Sequence, residues 1–548
     1  MAETMLEPVE HLASKLGLSP DDLTLHGPYR AKIRLDPTPP TQDRKGRYVL
    51  VTAITPTRHA AGKTSTTIGL VMGLERLGLR ATATLRQSSF GPTFGAKGGG
   101  AGGGKAQVEP LEESLLGMGS DVFAVEMANN LLAAVVDDAV NRGADVDPAS
   151  ITWRRAVDVD DRSLRQVRVG LGGTVNGPEH HTGFDITAAS EVMAILTLSR
   201  DVSDLRSRLA SIVPAWGRDG KPVTAGSLET AGSMAVLLRD AIRPNLMQTT
   251  EGTPVLVHTG PFGNVAPGNS SVIADVIALA RSDFVVTEAG FGSDLGAEKF
   301  FHLKCPVSGL APDVAVLVAT IPCLRDHGGA SGDGPDVVAV SHGSANLRRH
   351  IQNLHAFGVP TVVAINRFPG DTKEEVAIAV DVARDAGATA VAEHFAFSEG
   401  GAGCVELAEA VAAAAEKGAF AEGVNAHQLF DRDAPVEEKV EIIARHIYGA
   451  RDVEWSPEAS VRMKQFRSAG FGGFPVCMAK THLSLSHDPS ALGAPSGFVL
   501  PVTEVRLAAG AGYVTVLTGA ISTMPGLPSK AKFREIDLLG DGTVVGLT

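Results

Sequence analysis

Four consecutive residues, Gly62-Lys63-Thr64-Ser65, carry the most specific chemistry in the chain. A lysine after a glycine, followed by hydroxyl residues, is the closing half of a phosphate-binding loop. In such a loop backbone N–H groups aim at phosphate oxygens, the lysine holds the terminal phosphates and the first hydroxyl reaches Mg²⁺. The context agrees: the apolar run YVLVTAI precedes the loop and the helix-like TTIGLVMGLERLG follows it. Thr57 stands where the first glycine of the simple pattern belongs, so that pattern fails there. A plain Gly-Lys turn at the start of a helix is the competing reading. The expectation is an ATP site built on Thr57, Gly62, Lys63, Thr64 and Ser65, with Thr64 as the Mg²⁺ ligand.

A second chemical feature follows. The stretch FGPTFGAKGGGAGGGKAQ packs glycines between Lys97 and Lys105. A flexible linker would have such a composition. Its place between the loop and a long helical segment suits a backbone that wraps an anion. Metal chemistry has little support. His180-His181 and His327 have no second ligand at metal spacing, and Cys305, Cys323, Cys404 and Cys477 lie far apart. The cysteines read as buried, reduced thiols of a cytoplasmic protein.

These residues must be held by the elements around them. RYVLVTAI, DFVVTEAG, VAVLVAT and TVVAIN are apolar runs of strand length, each bounded by Gly, Pro, Asp or Asn. Between them lie helical patterns such as ANLRRHIQNLHAFG and EEVAIAVDVARDAG. Strand–helix alternation predicts an α/β class with a buried parallel sheet and ligands at the carboxyl ends of its strands. The chain's 548 residues allow two to four domains. A formal net charge of -13 argues against general binding to nucleic acid or to an anionic membrane surface. The N-terminus has no signal pattern, and no apolar run reaches the roughly 20 residues of a membrane span. A soluble cytoplasmic protein is expected.

Read in order, TPTxxxxGKT, LRQSSFGPTFGAKGGGAGGG, VTEAGFGSDLGAEKFF, VLVATIPCLRDHGG, PVCMAKTHLSLS, TEVRLAAGAGYV and TMPGLPSK form a collinear series. The series resembles the formate–tetrahydrofolate ligase family from about Leu25 to the C-terminus. In that family threonine is usual at the place of Thr57. The resemblance implies a reaction in which ATP phosphorylates formate to formyl phosphate and the aryl amine of tetrahydrofolate takes the formyl group. It implies that Lys63 holds the γ-phosphate, Thr64 the Mg²⁺, and Arg86 the formyl phosphate, where a guanidinium suits a carboxylate becoming a mixed anhydride. Gly290, Phe291 and Gly292 would line the formyl and folate pocket. Phe368, in NRFPGD, and Phe397, in FAFSEGG at the place of a family tryptophan, would clamp the pterin ring. Without the family both would read as core residues. Glu288, Asp294, Glu298 and Lys299 are open between site groups and structural ion pairs.

The resemblance also implies three α/β regions: a P-loop domain at 1–102 and 280–362, an inserted middle domain at 103–279, and a C-terminal domain at 363–548. A homotetramer and a monovalent-cation requirement come with the family. The chain departs from it at Arg58-His59-Ala60-Ala61, Lys105, Pro267, Asn269, Pro322, Ser529-Lys530-Ala531 and the histidine-free LGMGSDVFAVEMANN. Gln87 replaces a family glutamate beside Arg86 and is carried with Lys63 and Arg86 as a catalytic candidate. A glutamate could deprotonate the attacking amine; a glutamine can only hydrogen-bond. Three functions compete: the ligase itself, a ligase passing an acyl phosphate to a different amine, and a nucleotide-binding scaffold without turnover.

Overall fold

The computed structural model describes residues 6–35, 44–96, 100–417 and 428–547. Its centre is a twelve-stranded sheet. Strand Arg47–Ala53 is buried from Tyr48 to Ala53, because its mixed apolar and β-branched sequence faces helices on both sides. Phe284–Gly292 pairs parallel to it on one side and Val314–Ala319 on the other. Ala81–Leu85 and Pro254–Val257 continue the parallel set outward beyond Phe284–Gly292, and Thr361–Asn366 and Ala390–His394 beyond Val314–Ala319. Antiparallel strands close the Pro254–Val257 side. After Arg47–Ala53 the chain turns one way, to Ala81–Leu85; from Phe284–Gly292 it crosses the other way, to Val314–Ala319. Open α/β sheets bind ligands at the carboxyl ends of the strands beside such a reversal.

The α/β expectation and the placement of all four quoted strands agree with this architecture. Strand pairing crosses two of the expected domain boundaries. Asn245–Val257, inside the middle region, and Ala390–His394, inside the C-terminal region, both join the large sheet. A separate four-stranded sheet in the order 452–455, 499–508, 513–518, 476–479 forms the C-terminal part.

Helix Lys63–Arg76 packs unusually closely on a neighbour. A Cβ at Gly69 would fall 2.6 Å from Cys404 Sγ and 2.7 Å from Ala396 Cβ, and one at Gly73 would fall 2.8 Å from the Cys404 carbonyl. Two glycines four apart thus let the segment Ala396–Cys404, which carries Phe397, lie directly on the loop's helix. Asp336 caps helix Val337–Ala356 by accepting from Ala339 N–H, and that helix brings Asn346 and His350 under the loop. All four cysteines are free and buried. Among the described residues no helix is long and apolar enough to cross a membrane. A cavity of about 600 Å³, lined by Trp153, Trp216, Glu191 and Tyr513 among others, lies against the C-terminal sheet; none of residues 57–65, Arg86 or 290–292 lines it.

Candidate active site

The loop leaves strand Arg47–Ala53 at Ile54 and enters its helix at Lys63. Gly62 sits at the N-cap with φ 76°, a left-handed conformation natural to glycine. A side chain there would also meet Asn366, whose Nδ2 lies 2.4 Å from the place of a Cβ. Asn366 Nδ2 donates to the Ala61 carbonyl at 3.2 Å, so the loop's exit is tied to the end of strand Thr361–Asn366. Thr57 Oγ1 accepts from His59 N–H at 3.2 Å, and Cys323 Sγ donates to the His59 carbonyl at 3.3 Å. Thr57 therefore closes a turn inside the loop instead of offering the open backbone of a glycine.

The loop's base is held by histidine. The Thr55 N–H donates to His350 Nε2 at 2.9 Å, which puts the ring proton on Nδ1, facing Ser293 Oγ at 2.7 Å. Burial pulls the His350 pKa down to about 4, so the ring stays neutral near pH 7. One imidazole thus joins the start of the loop to the end of strand Phe284–Gly292. His327 Nε2 lies 2.8 Å from the Thr55 carbonyl, a structural role. Two of the departures, one in the loop and one beyond it, have local reasons. Arg58 pairs with Asp326 and Asp333 at the surface. Pro322 stands in the first turn of helix Ile321–His327, where proline is tolerated, behind a Thr320 cap.

The centre of the site is Glu288. It is 5% exposed. The Thr64 hydroxyl donates to its Oε2 at 2.9 Å, and Arg86 Nη2 lies 3.8 Å from its Oε1. Thr64 and Arg86 follow, and Glu288 lies within, three parallel strands that are neighbours in the sheet, so residues more than 200 positions apart meet at one point. Arg86 also donates from Nη1 to the Pro261 carbonyl at 3.0 Å, and its buried Nε has no hydrogen-bond partner among the described residues. Burial lowers its pKa from the usual arginine value while Glu288 opposes the shift; an arginine stays charged throughout. The guanidinium rests on Gly290, where a Cβ would come within 3.2 Å of Nη1.

The donor set suits Mg²⁺ carried with a nucleotide. One hydroxyl, Thr64, and one carboxylate, Glu288, converge, and Mg²⁺ typically takes one or two protein oxygens while keeping waters and phosphate oxygens. Among the described residues no three His, Cys, Asp or Glu side chains form a ligand cluster of their own.

Gln87 points elsewhere. Its Nε2 donates to the Met118 carbonyl at 2.7 Å and its N–H to the Thr259 carbonyl at 2.6 Å, tying the strand end to the start of helix Gly119–Asn141. Phe368 and Phe397 are not core residues: they are 41% and 63% exposed, each just after one of two adjacent strands. The Phe397 ring lies over the glycine stretch, 3.3 Å from the place of a Cβ at Gly103. Its carbonyl accepts from Lys105 N–H at 2.8 Å, and the Lys105 side chain is exposed. Lys97 lies outside the described residues. Asp294 forms a buried ion pair with Lys480 at 2.9 Å; Glu298 meets His302 at 2.7 Å, and Lys299 donates to the Met478 carbonyl at 2.9 Å. These three are structural ties. Glu288, which sequence left open, is where Thr64 and Arg86 meet. Asn346, His350 and Asn366 were missed.

Comparison with known proteins follows the same line. A family model described as formate–tetrahydrofolate ligase matches residues 1–548. A formate–tetrahydrofolate ligase of Roseiflexus sp. (strain RS-1) is 51% identical, covering 99% of this chain and 98% of the relative. One from Chloroflexus aurantiacus (strain ATCC 29366 / DSM 635 / J-10-fl) is 50% identical over 100% and 98% of the two chains, and one from Saccharopolyspora erythraea is 49% identical over the same shares.

Proposed function

This chain belongs to the formate–tetrahydrofolate ligase family, and from that premise we propose that it joins formate to tetrahydrofolate at the expense of ATP, giving 10-formyltetrahydrofolate, ADP and phosphate. The observation that carries the reading is the meeting of Thr64 and Arg86 at Glu288 beside the helix N-terminus that Gly62 opens.

The reaction divides into two displacements. A formate oxygen attacks the γ-phosphorus and ADP leaves. The amine nitrogen of tetrahydrofolate then attacks the formyl carbon, loses its proton, and the carbon–oxygen bond to phosphate breaks. Lys63 and the first N–H groups of helix Lys63–Arg76 hold the nucleotide phosphates. Arg86 faces the developing charge on formate and on the transferred phosphoryl group, where fixed donors contribute most. Thr64 and Glu288 would hold Mg²⁺, which would neutralise phosphate charge when bound. Gly290 keeps the backbone close to the Arg86 guanidinium. Phe368 and Phe397 offer two exposed rings to a flat heterocycle. Gln87, tied to Met118, acts as a positioning group and not as a proton acceptor.

A monovalent cation, a four-subunit assembly and a cytoplasmic location complete the proposal, the last supported by four free buried thiols. Near 50% identity over nearly the whole chain weighs against a changed amine acceptor, and the departures at Arg58 and Pro322 have structural reasons that leave the chemistry intact. ADP release with Mg-ATP and formate, with and without tetrahydrofolate, tests the reading. Release that needs both substrates and matches 10-formyltetrahydrofolate one for one supports it. Formate-dependent ADP without formylated folate restores the changed-acceptor alternative.

A further inference from the structure

The turn Gly290-Phe291-Gly292 is held in a conformation that its sequence resists. Phe291 has φ 61°, a left-handed conformation that costs a bulky L-residue. The flanking residues are glycines for want of space. A Cβ at Gly290 would lie 3.2 Å from Arg86 Nη1 and 3.3 Å from Nη2, and one at Gly292 would lie 2.5 Å from Asp294 Oδ1. The turn thus carries one side chain, and some contact must hold that side chain in its strained backbone.

One such contact comes from the far end of the chain. The Phe291 ring stacks on the His482 imidazole, with centroids 4.4 Å apart and planes 29° apart. His482 follows strand Val476–Ala479 of the C-terminal sheet. Two residues earlier, the fully buried Lys480 pairs with Asp294, just beyond the turn, at 2.9 Å. Lys480-Thr481-His482 therefore grips the turn at two points. The opposite side is fixed by residues 261–269: Gly290 N–H donates to the Gly268 carbonyl at 2.9 Å, Ala289 bridges to Asn269, and Pro261 accepts from Arg86.

We propose that His482 is a positioning residue: by stacking on Phe291 it keeps the Gly290-Phe291-Gly292 turn in the left-handed form that seats the Arg86 guanidinium for the acyl-phosphate step. The inference rests on the ligase reading above. Without the ring, Phe291 relaxes toward negative φ, Gly290 leaves the guanidinium, and Arg86 loses its backstop. The nucleotide end of the site is carried by Lys63 and Thr64 on a different element, so ATP binding is spared.

Steady-state kinetics of the full-length wild type, His482→Ala and His482→Phe test this, with a melting temperature for each. The proposal expects His482→Ala to lower kcat roughly tenfold, the scale of an aromatic pair, with KM for ATP within about twofold. His482→Phe keeps a flat ring and restores kcat to within about threefold of wild type. Wild-type kcat in His482→Ala overturns the proposal, even if its melting temperature falls, because that is a purely structural contact. A His482→Phe enzyme as slow as the alanine variant also overturns it, since the imidazole would then act as more than a ring. If His482→Ala does not fold, the comparison moves to His482→Leu, which fills the space without a flat ring. It should lower kcat as the alanine variant would, and a wild-type kcat contradicts the proposal. A wild-type enzyme that makes no 10-formyltetrahydrofolate overturns the ligase reading itself, an outcome distinct from a normal His482→Ala rate.

Discussion

Gly62→Ala isolates what the loop's one left-handed residue contributes. At φ 76° an alanine costs about 1–2 kcal/mol in backbone strain. Its Cβ would stand 2.4 Å from Asn366 Nδ2, so the amide must rotate away and give up its bond to the Ala61 carbonyl. A hydrogen bond of that kind contributes about 1 kcal/mol. Reduced freedom of the unfolded chain returns about 0.4–1 kcal/mol to the alanine variant. The balance is about 2 kcal/mol. The loop can escape it only by abandoning the conformation that aims its N–H groups at phosphate. Expressed in binding and turnover, 2 kcal/mol is roughly 30-fold in kcat/KM for ATP. The assay is ADP release at varied Mg-ATP with saturating formate and tetrahydrofolate. Made in an Asn366→Ala background, Gly62→Ala should cost the backbone component alone, because the bond to the Ala61 carbonyl is already gone. A Gly62→Ala enzyme with wild-type kcat/KM for ATP and an unchanged melting temperature would refute the reasoning.

Other perturbations separate chemistry from scaffold. Lys63→Ala should abolish ATP turnover while leaving the melting temperature near wild type; normal turnover removes the phosphate-loop assignment. Arg86→Ala should lower kcat by about 10²-fold or more, and a loss confined to stability would make Arg86 structural. Gln87→Glu should not raise folate-dependent activity. It sets a carboxylate against the Met118 carbonyl in place of a donor and should destabilise the fold by about 1–3 kcal/mol, read by urea unfolding. Glu191 offers a pH test. Burial raises its pKa from 4.5 to about 7, against the opposing N–H groups of Gly510 and Ala511. The folded form therefore holds a proton that the unfolded chain releases, and stability falls as pH rises from about 4.5 through about 7. Glu191→Gln keeps an acceptor for those N–H groups and removes that penalty. It should equal wild type near pH 4.5 and exceed it at pH 8 by up to about 3 kcal/mol, a ceiling because the carboxylate borders a cavity that water can enter. A wild type as stable as Glu191→Gln at pH 8 contradicts the argument.

Much of the fold could be read from local pattern. RYVLVTAI and TVVAIN are apolar along their whole length because both faces of those strands are covered, and that signal needs no partner to be recognised. Gly62-Lys63-Thr64 is legible for the same reason: its chemistry lies in consecutive residues. Asn366 was within reach, as a polar residue closing an apolar strand at the ligand end of the sheet. His350 was not. It sits inside ANLRRHIQNLHAFG, where helical period marks a buried face but says nothing of a loop 295 residues earlier in the chain. Glu288 was named, yet its role depends on Thr64 and Arg86 meeting it across neighbouring strands. Phe368 and Phe397 would read as core on composition; only the packing of Ala396–Cys404 on Gly69 and Gly73 sets Phe397 at the surface beside Gly103. Gln87 shows the converse. Its neighbour Arg86 faces Glu288, but its own side chain turns toward a helix.

On the proposed route formate is activated by phosphorylation beside Arg86 and Lys63 before the amine attacks. Formate labelled with ¹⁸O in both oxygens, turned over with Mg-ATP and tetrahydrofolate, tests it most directly by mass spectrometry of the phosphate released. One ¹⁸O is expected in each phosphate, with one labelled oxygen left in 10-formyltetrahydrofolate. Unlabelled phosphate, released while formylated folate accumulates, would contradict it.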